Sequence, residues 1–150
     1  MKIFIGSDHR GFILKESLEK FLISRGYTVE DEGDQKLDPD DDFPVFASRV
    51  VTKVLSSDDR DPRGILFCGS GQGMAMMANR YKGIRAAVIW NVEEARAARN
   101  DDDSNVLTLP AHLFEDDRQA MQDIVEAWLK TPFYPAARRV RRIREMDELA

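Results

Sequence analysis

Five short apolar runs alternate with stretches of helical spacing from one end of the chain to the other, and this alternation narrows the fold more than any other feature. The first run, Lys2–Gly6, ends in glycine and precedes Phe12, Leu14, Leu18, Phe21 and Leu22, a mostly helical pattern over 11–25 that Gly26 stops. The pattern repeats as a strand over 27–31, a helix over about 44–57 with Ala47, Val50, Val51, Val54 and Leu55 on one face, and a strand over 63–67. Beyond a glycine-rich loop it predicts a helix over 74–80, a strand over 84–90, a helix over 92–99 and a strand over 104–109. A helix over 116–130 and a basic terminal helix over about 136–147 complete the chain. With no internal repeat and no low-complexity linker, the expected fold is an α/β sandwich on a five-stranded parallel sheet, one domain over 1–150. Right-handed crossovers leave few topologies, and the common strand order 2-1-3-4-5 is the one expected.

In sheets of this kind ligands bind beyond the carboxyl ends of the strands, where the strand order reverses. The loops there read SDHRG (7–11), CGSGQG (68–73), NVEE (91–94) and PAH (110–112). In the expected order the first and third strands are neighbours across the reversal, which brings Asp8, His9 and Cys68 to one crevice.

Composition limits what such a crevice can serve. A chain of 150 residues can bury a sizeable core without disulfides. A net charge of −5 argues against general affinity for nucleic acid or an anionic membrane, so any anion site must be local. The opening MKIFIGSDH lacks the apolar core of a signal peptide, and the longest apolar run, Ala86–Trp90, is too short to span a bilayer. The single cysteine, Cys68, makes no intrachain disulfide, and a cytoplasmic setting is expected.

Cys68 opens the loop Cys68-Gly69-Ser70-Gly71-Gln72-Gly73. The spacing is not the dinucleotide fingerprint, which follows the first strand, nor a Walker loop, since no Gly-Lys-Ser/Thr follows. Met74 stands where a Cys-x5-Arg phosphatase needs arginine, and one Cys with two His, His9 and His112, makes a poor structural zinc site. What remains is a run of backbone N–H groups at a helix start beside a thiol and the Ser70 hydroxyl. Such donors stabilise a developing oxyanion, by roughly 3–4 kcal/mol for one well-aimed group, and the same field favours thiolate over thiol. Buried filler is the competing reading of Cys68, an N-cap that of Asp8, and a surface or core residue that of His112. The acidic run 38–42 reads as a solvated turn. Arg138 and Arg142, four apart on the terminal helix, form either a solvated basic face or a guanidinium pair that clamps a phosphate.

The segments GSDHRGF (6–12), DDFPVFA (41–47), GILFCGSGQGM (64–74), NRYKGIRAA (79–87) and SNVL (104–107), in this order and spacing, resemble the ribose-5-phosphate isomerase B family, which includes the galactose-6-phosphate isomerase subunits. The resemblance runs nearly end to end. It implies a three-layer Rossmann-like fold and a metal-free, cofactor-free aldose–ketose isomerisation of a sugar phosphate, with sites built at a homodimer interface and dimers that can pair into tetramers. By resemblance Cys68 moves a proton between C1 and C2 through a cis-enediolate, Gly69, Gly71 and Gly73 belong to the anion-hole loop, and Ser70 assists at the sugar oxygens. Asp8 and His9 match the pair that contacts the ring oxygen and phosphate, and Arg138 and Arg142 match two phosphate-binding arginines.

Three positions depart from that pattern. Asp101 replaces the histidine associated with ring opening, Asp102 replaces its neighbouring asparagine, and His112 stands in place of a phosphate-binding arginine after the fifth strand. A carboxylate can perform acid–base work on a hemiacetal, so Asp101 is expected to take that role, with Asp102 and His112 at the substrate. Phe43 replaces a tyrosine common in the family. A second expectation follows from the same departures: a sugar-phosphate-binding or regulatory paralogue that kept the fold and lost ring-opening chemistry.

Overall fold

The computed structural model describes residues 1–149. Its elements are β1 (Lys2–Ser7), α1 (Phe12–Ser24), β2 (Thr28–Asp31), α2 (Phe43–Ser56), β3 (Arg63–Cys68), α3 (Gln72–Ala78) and β4 (Ala86–Val88), followed by α4 (Val92–Asp102), β5 (Val106–Pro110), α5 (Arg118–Lys130) and α6 (Ala137–Leu149). A single 3₁₀ turn, Ala111–Leu113, follows β5.

All strand pairings are parallel, and side-chain alternation along the strands builds two cores. Ile3, Ile5, Ile65, Phe67, Leu107 and Leu109 face a layer made by α1, α4 and α5. Phe4, Leu66, Cys68 and Val106 face the opposite layer, made by α2 and α3. Helices α1 to α5 each meet the core through a stripe of buried residues, such as Leu14, Leu18 and Leu22 of α1 or Ala47, Val50, Val51 and Val54 of α2. Each large side chain so buried contributes about 1.5–3 kcal/mol.

The strand order is β2-β1-β3-β5-β4, which corrects the expected 2-1-3-4-5 at its far edge. The fifth strand is buried along its whole length, Val106 to Pro110, and takes the interior place beside β3. The fourth pairs over only Ala86–Val88, each residue partly exposed, and the Trp90 that ends its apolar run is 52% exposed. A short strand of small residues suits an edge, where one side of its ladder is unpaired. The reversal between β1 and β3 is as expected, and a consequence of the correction is that the loop after β5 now adjoins the loop after β3.

The terminal helix differs from the rest. α6 buries none of its residues and leaves Val140, Met146 and Leu149 exposed. It is tied to α4 through Arg139, which donates to the Asn100 carbonyl at 3.1 Å and forms an ion pair with Asp101. Among the described residues no helix is long and apolar enough to cross a membrane.

Candidate active site

The loop after β1 is held against β3 before any helix begins. The Asp8 N–H donates to the Phe67 carbonyl at 3.4 Å, and Asp8 Oδ1 accepts the N–H groups of Arg10 and Gly11 at 2.9 and 3.3 Å. That is a side-chain turn ahead of α1, whose N-cap is Gly11 and not Asp8. A β-carbon on Gly11 would lie 2.3 Å from Phe67 Cβ, so only glycine allows this approach. Burial pushes the Asp8 carboxyl above its ordinary range, while the donated N–H groups of Gly11 and Arg10 and the neighbouring His9 pull it back. A buried carboxyl of this kind can hold a proton and give it up within a cleft.

Cys68 ends β3 opposite Pro110, and the thiol-bearing residue is 6% exposed. The chain then turns through Gly71 at φ +74°, where a side chain would be strained and would press on the Leu109–Pro110 backbone at 3.2 Å. α3 has only seven residues, so the loop's own amides, more than a helix field, define the cradle beside the thiol. His112 closes it from the β5 side: its backbone N–H and its Nδ1–H both donate to the Gly69 carbonyl, at 3.2 and 2.6 Å. Asp8, Arg10, Phe43, Cys68, Gly69, Ser70, Gly73 and His112 line an open cavity of about 440 Å³.

His9 lies beside this cavity, held by Asp41, whose Oδ1 accepts from the imidazole Nδ1 at 2.6 Å. That hydrogen bond keeps the His9 pKa above its ordinary value against the opposing effect of desolvation, and the charges of Asp41 and Asp8 act in the same direction as the bond. The Asp41 side chain is itself 5% exposed, so it departs from the reading of 38–42 as a solvated turn, which the exposed residues 38–40 and 42 bear out.

Asp8, Cys68, Gly69, Ser70, Gly73 and His112 are thus brought together, with His9 and Gly71 beside them. Asp101, Asp102, Arg138 and Arg142 are not. α4 runs three residues beyond its expected end at 99 and closes on Asp103, a left-handed residue at φ 51° secured by Arg85 and Arg99, each at 2.9 Å. This puts Asp101 and Asp102 just before Val106, at the amino end of β5, whereas Cys68 pairs with Pro110 at its carboxyl end. Four residues of strand, roughly 13 Å, separate the two levels. Asp101 is engaged by Arg139. Asp102 lines a separate cavity of 360 Å³ with Arg85 and Met146, and Arg138 and Arg142 are exposed on α6.

Two residues escaped the sequence reading. Arg10 follows Asp8 and His9 directly and lines the cavity; its position inside the SDHRG loop was the available signal. Asp41 had none, because only the fold brings it across 32 residues to His9.

The same architecture recurs in known proteins. The family model described as Ribose/Galactose Isomerase matches residues 3–146. A probable ribose-5-phosphate isomerase B from Mycoplasma genitalium is 40% identical over 131 residues, 87% of this chain and 84% of the relative. The crystal structure of a ribose 5-phosphate isomerase from Thermotoga maritima, 43% identical, superposes with a TM-score of 0.91 over 98% of this chain and 97% of that one. The Mycoplasma genitalium enzyme with bound ribulose-5-phosphate, 37% identical, gives 0.90 over 99% and 95%. A match that spans both layers of the sandwich, the Asp8 turn and the Cys68 loop is one of whole chain to whole chain, and the protein belongs to the ribose/galactose isomerase family.

Proposed function

We propose that the chain interconverts an aldose phosphate and the corresponding ketose phosphate with Cys68 as the base. The observation that carries this reading is that Cys68, at a strand end, lines with Gly69, Ser70 and Gly73 a cavity shared with the buried carboxyl of Asp8. In the open-chain aldose the Cys68 thiolate removes the C2 proton. The C2–H electrons become the C1=C2 bond and the carbonyl π electrons move to the C1 oxygen. The loop amides and the Ser70 hydroxyl donate to that oxyanion, a role they fill without a metal or cofactor. The thiol returns its proton to C1, the C2 hydroxyl proton passes by way of Asp8 to the C1 oxyanion, and the C2 O–H electrons form the C2=O bond, which leaves the ketone at C2 and a hydroxyl at C1. Asp8, whose pKa is raised by burial, moves protons at the sugar oxygens.

The substrate end remote from Cys68 needs cations, and Arg138 and Arg142 lie at the wrong end of their own chain. A homodimer in which α6 of one copy reaches the Cys68 cavity of the other supplies them, and it covers Val140, Met146 and Leu149 as well. The relative crystallised with ribulose-5-phosphate supports a pentose phosphate as substrate. Isomerisation followed by NMR over a panel of pentose and hexose phosphates tests the assignment. Turnover of ribose 5-phosphate is expected, and a panel with no turnover overturns it.

The Asp101–Arg139 ion pair favours a second reading, because a carboxylate so engaged is a poor ring-opening base. A protein that binds sugar phosphates and isomerises none of them, cyclic or open-chain, would fit that reading.

A further inference from the structure

Arg10 lines the Cys68 cavity with a guanidinium that is unpaired among the described residues. Its Cζ, Nη2 and Nη1 lie 3.3, 3.5 and 3.6 Å from the point a Gly69 β-carbon would occupy, so the guanidinium is packed against the first glycine of the loop. The Arg10 backbone is fixed by its N–H bond to Asp8, whereas its side chain makes no ion pair or hydrogen bond among the described residues. Other arginines close to carboxylates in this fold are engaged: Arg63 with Asp61, Arg85 and Arg99 with Asp103, Arg139 with Asp101.

The charge balance of the cavity makes this guanidinium consequential. Its lining includes the Asp8 carboxyl, and the carboxylate of Asp41 stands behind His9. Only two basic side chains line it, Arg10 and His112, and the His112 ring is held to the Gly69 carbonyl by Nδ1, which leaves Nε2 as its remaining polar atom. A phosphate monoester carries close to two negative charges near neutral pH and has three acceptor oxygens. A planar guanidinium offers paired N–H donors that match two of those oxygens. Both side chains meet at one residue, Gly69: Arg10 against its α-carbon side and His112 at its carbonyl.

We propose that Arg10 is a further same-chain contact for the substrate's phosphate group, beside His112 and His9, complementing the cations that the proposed second copy would contribute. This rests on the sugar-phosphate isomerase reading, and the site it names is the rim of the same cavity. Arg10 acts in binding and not in the proton transfer, so its removal should separate KM from kcat.

The test uses the full-length protein and the variants Arg10→Ala and Arg10→Lys, with ribose 5-phosphate as substrate and inorganic phosphate as competitor. Arg10→Ala should raise both KM and the phosphate inhibition constant by roughly tenfold or more, with kcat within about threefold and an unchanged melting temperature. Arg10→Lys should recover part of the loss, since it restores charge without the fork. KM and inhibition constant within about twofold of the wild type would overturn the assignment, as would a fall in kcat with KM unchanged. A wild type that turns over no sugar phosphate removes the isomerase reading alone. Arg10 is then judged by direct titration with inorganic phosphate followed by phosphorus NMR, where roughly tenfold weaker binding in Arg10→Ala sustains the contact and equal binding overturns it.

Discussion

At the carboxyl end of the sheet a β-carbon on Gly11 would lie 2.3 Å from Phe67, whereas at the amino end α6 buries none of its residues. The Asp8 turn, the Cys68 loop and the His112 turn are laced together by backbone hydrogen bonds between neighbouring strand ends. α6 hangs on Arg139 and presents arginines and apolar side chains outward. The contrast teaches where the chemistry is complete and where it is not. One chain places the thiol, its glycine loop and the buried carboxyl at one end and Arg138 and Arg142 at the other, and the proposed homodimer would join the two.

The largest effect expected is at the complete end. Cys68→Ala should lower kcat by about 10²–10⁴-fold with the fold intact by circular dichroism, the range for loss of a positioned proton-transfer group. Activity close to wild type would return Cys68 to the role of buried filler.

At the incomplete end, Arg142→Ala should weaken binding of the sugar phosphate by about 1.5–3 kcal/mol, as for a lost hydrogen bond to a charged group. Mixed dimers sharpen this. Inactive Cys68→Ala mixed with Arg142→Ala should regain activity, because one of the two sites in each heterodimer then has both residues intact. Absence of complementation in verified heterodimers would mean that Arg142 serves no partner's site.

Stability should follow the same division. Gly11→Ala should destabilise the fold by about 1–3 kcal/mol in denaturant titrations, since the loop has no room to relax against β3. Met146→Ala should leave monomer stability nearly unchanged and weaken self-association in sedimentation. Equal effects of the two on unfolding would remove the contrast.

The smallest effect concerns His9. Its raised pKa means that the Asp41–imidazolium pair contributes stability fully below the unfolded value of about 6.5 and loses it as pH rises through the higher folded value. Asp41→Asn should therefore move the His9 titration down toward its ordinary value by NMR, and shift the alkaline side of any His9-dependent binding to lower pH. An unmoved titration would show that Asp41 does not hold the imidazolium.

The five strands and both helical layers were legible because period-two and helical spacings are local properties of the chain, whereas the strand bounds shifted, 84–90 to Ala86–Val88 and 104–109 to Val106–Pro110. The lateral order of β4 and β5 was not. The run 84–90 looks as apolar as the run 104–109, and the choice of interior strand falls to the one whose five residues are all buried by both layers. Cys68, Ser70, Asp8 and their glycines were readable as a loop after a strand. The ion pair of Asp101 was not legible, since its partner Arg139 lies 38 positions away and nothing near Asp101 announces it. Asp41 was hidden in an acidic run for the same reason.

The central claim, a proton carried by Cys68 between adjacent sugar carbons, is tested most directly by incubating ribose 5-phosphate with the protein in deuterated water and following C1 and C2 by NMR. Wild-type protein should introduce deuterium as the ketose forms and Cys68→Ala should introduce none above background. Isomerisation or exchange that persists at the wild-type rate in Cys68→Ala would contradict the account.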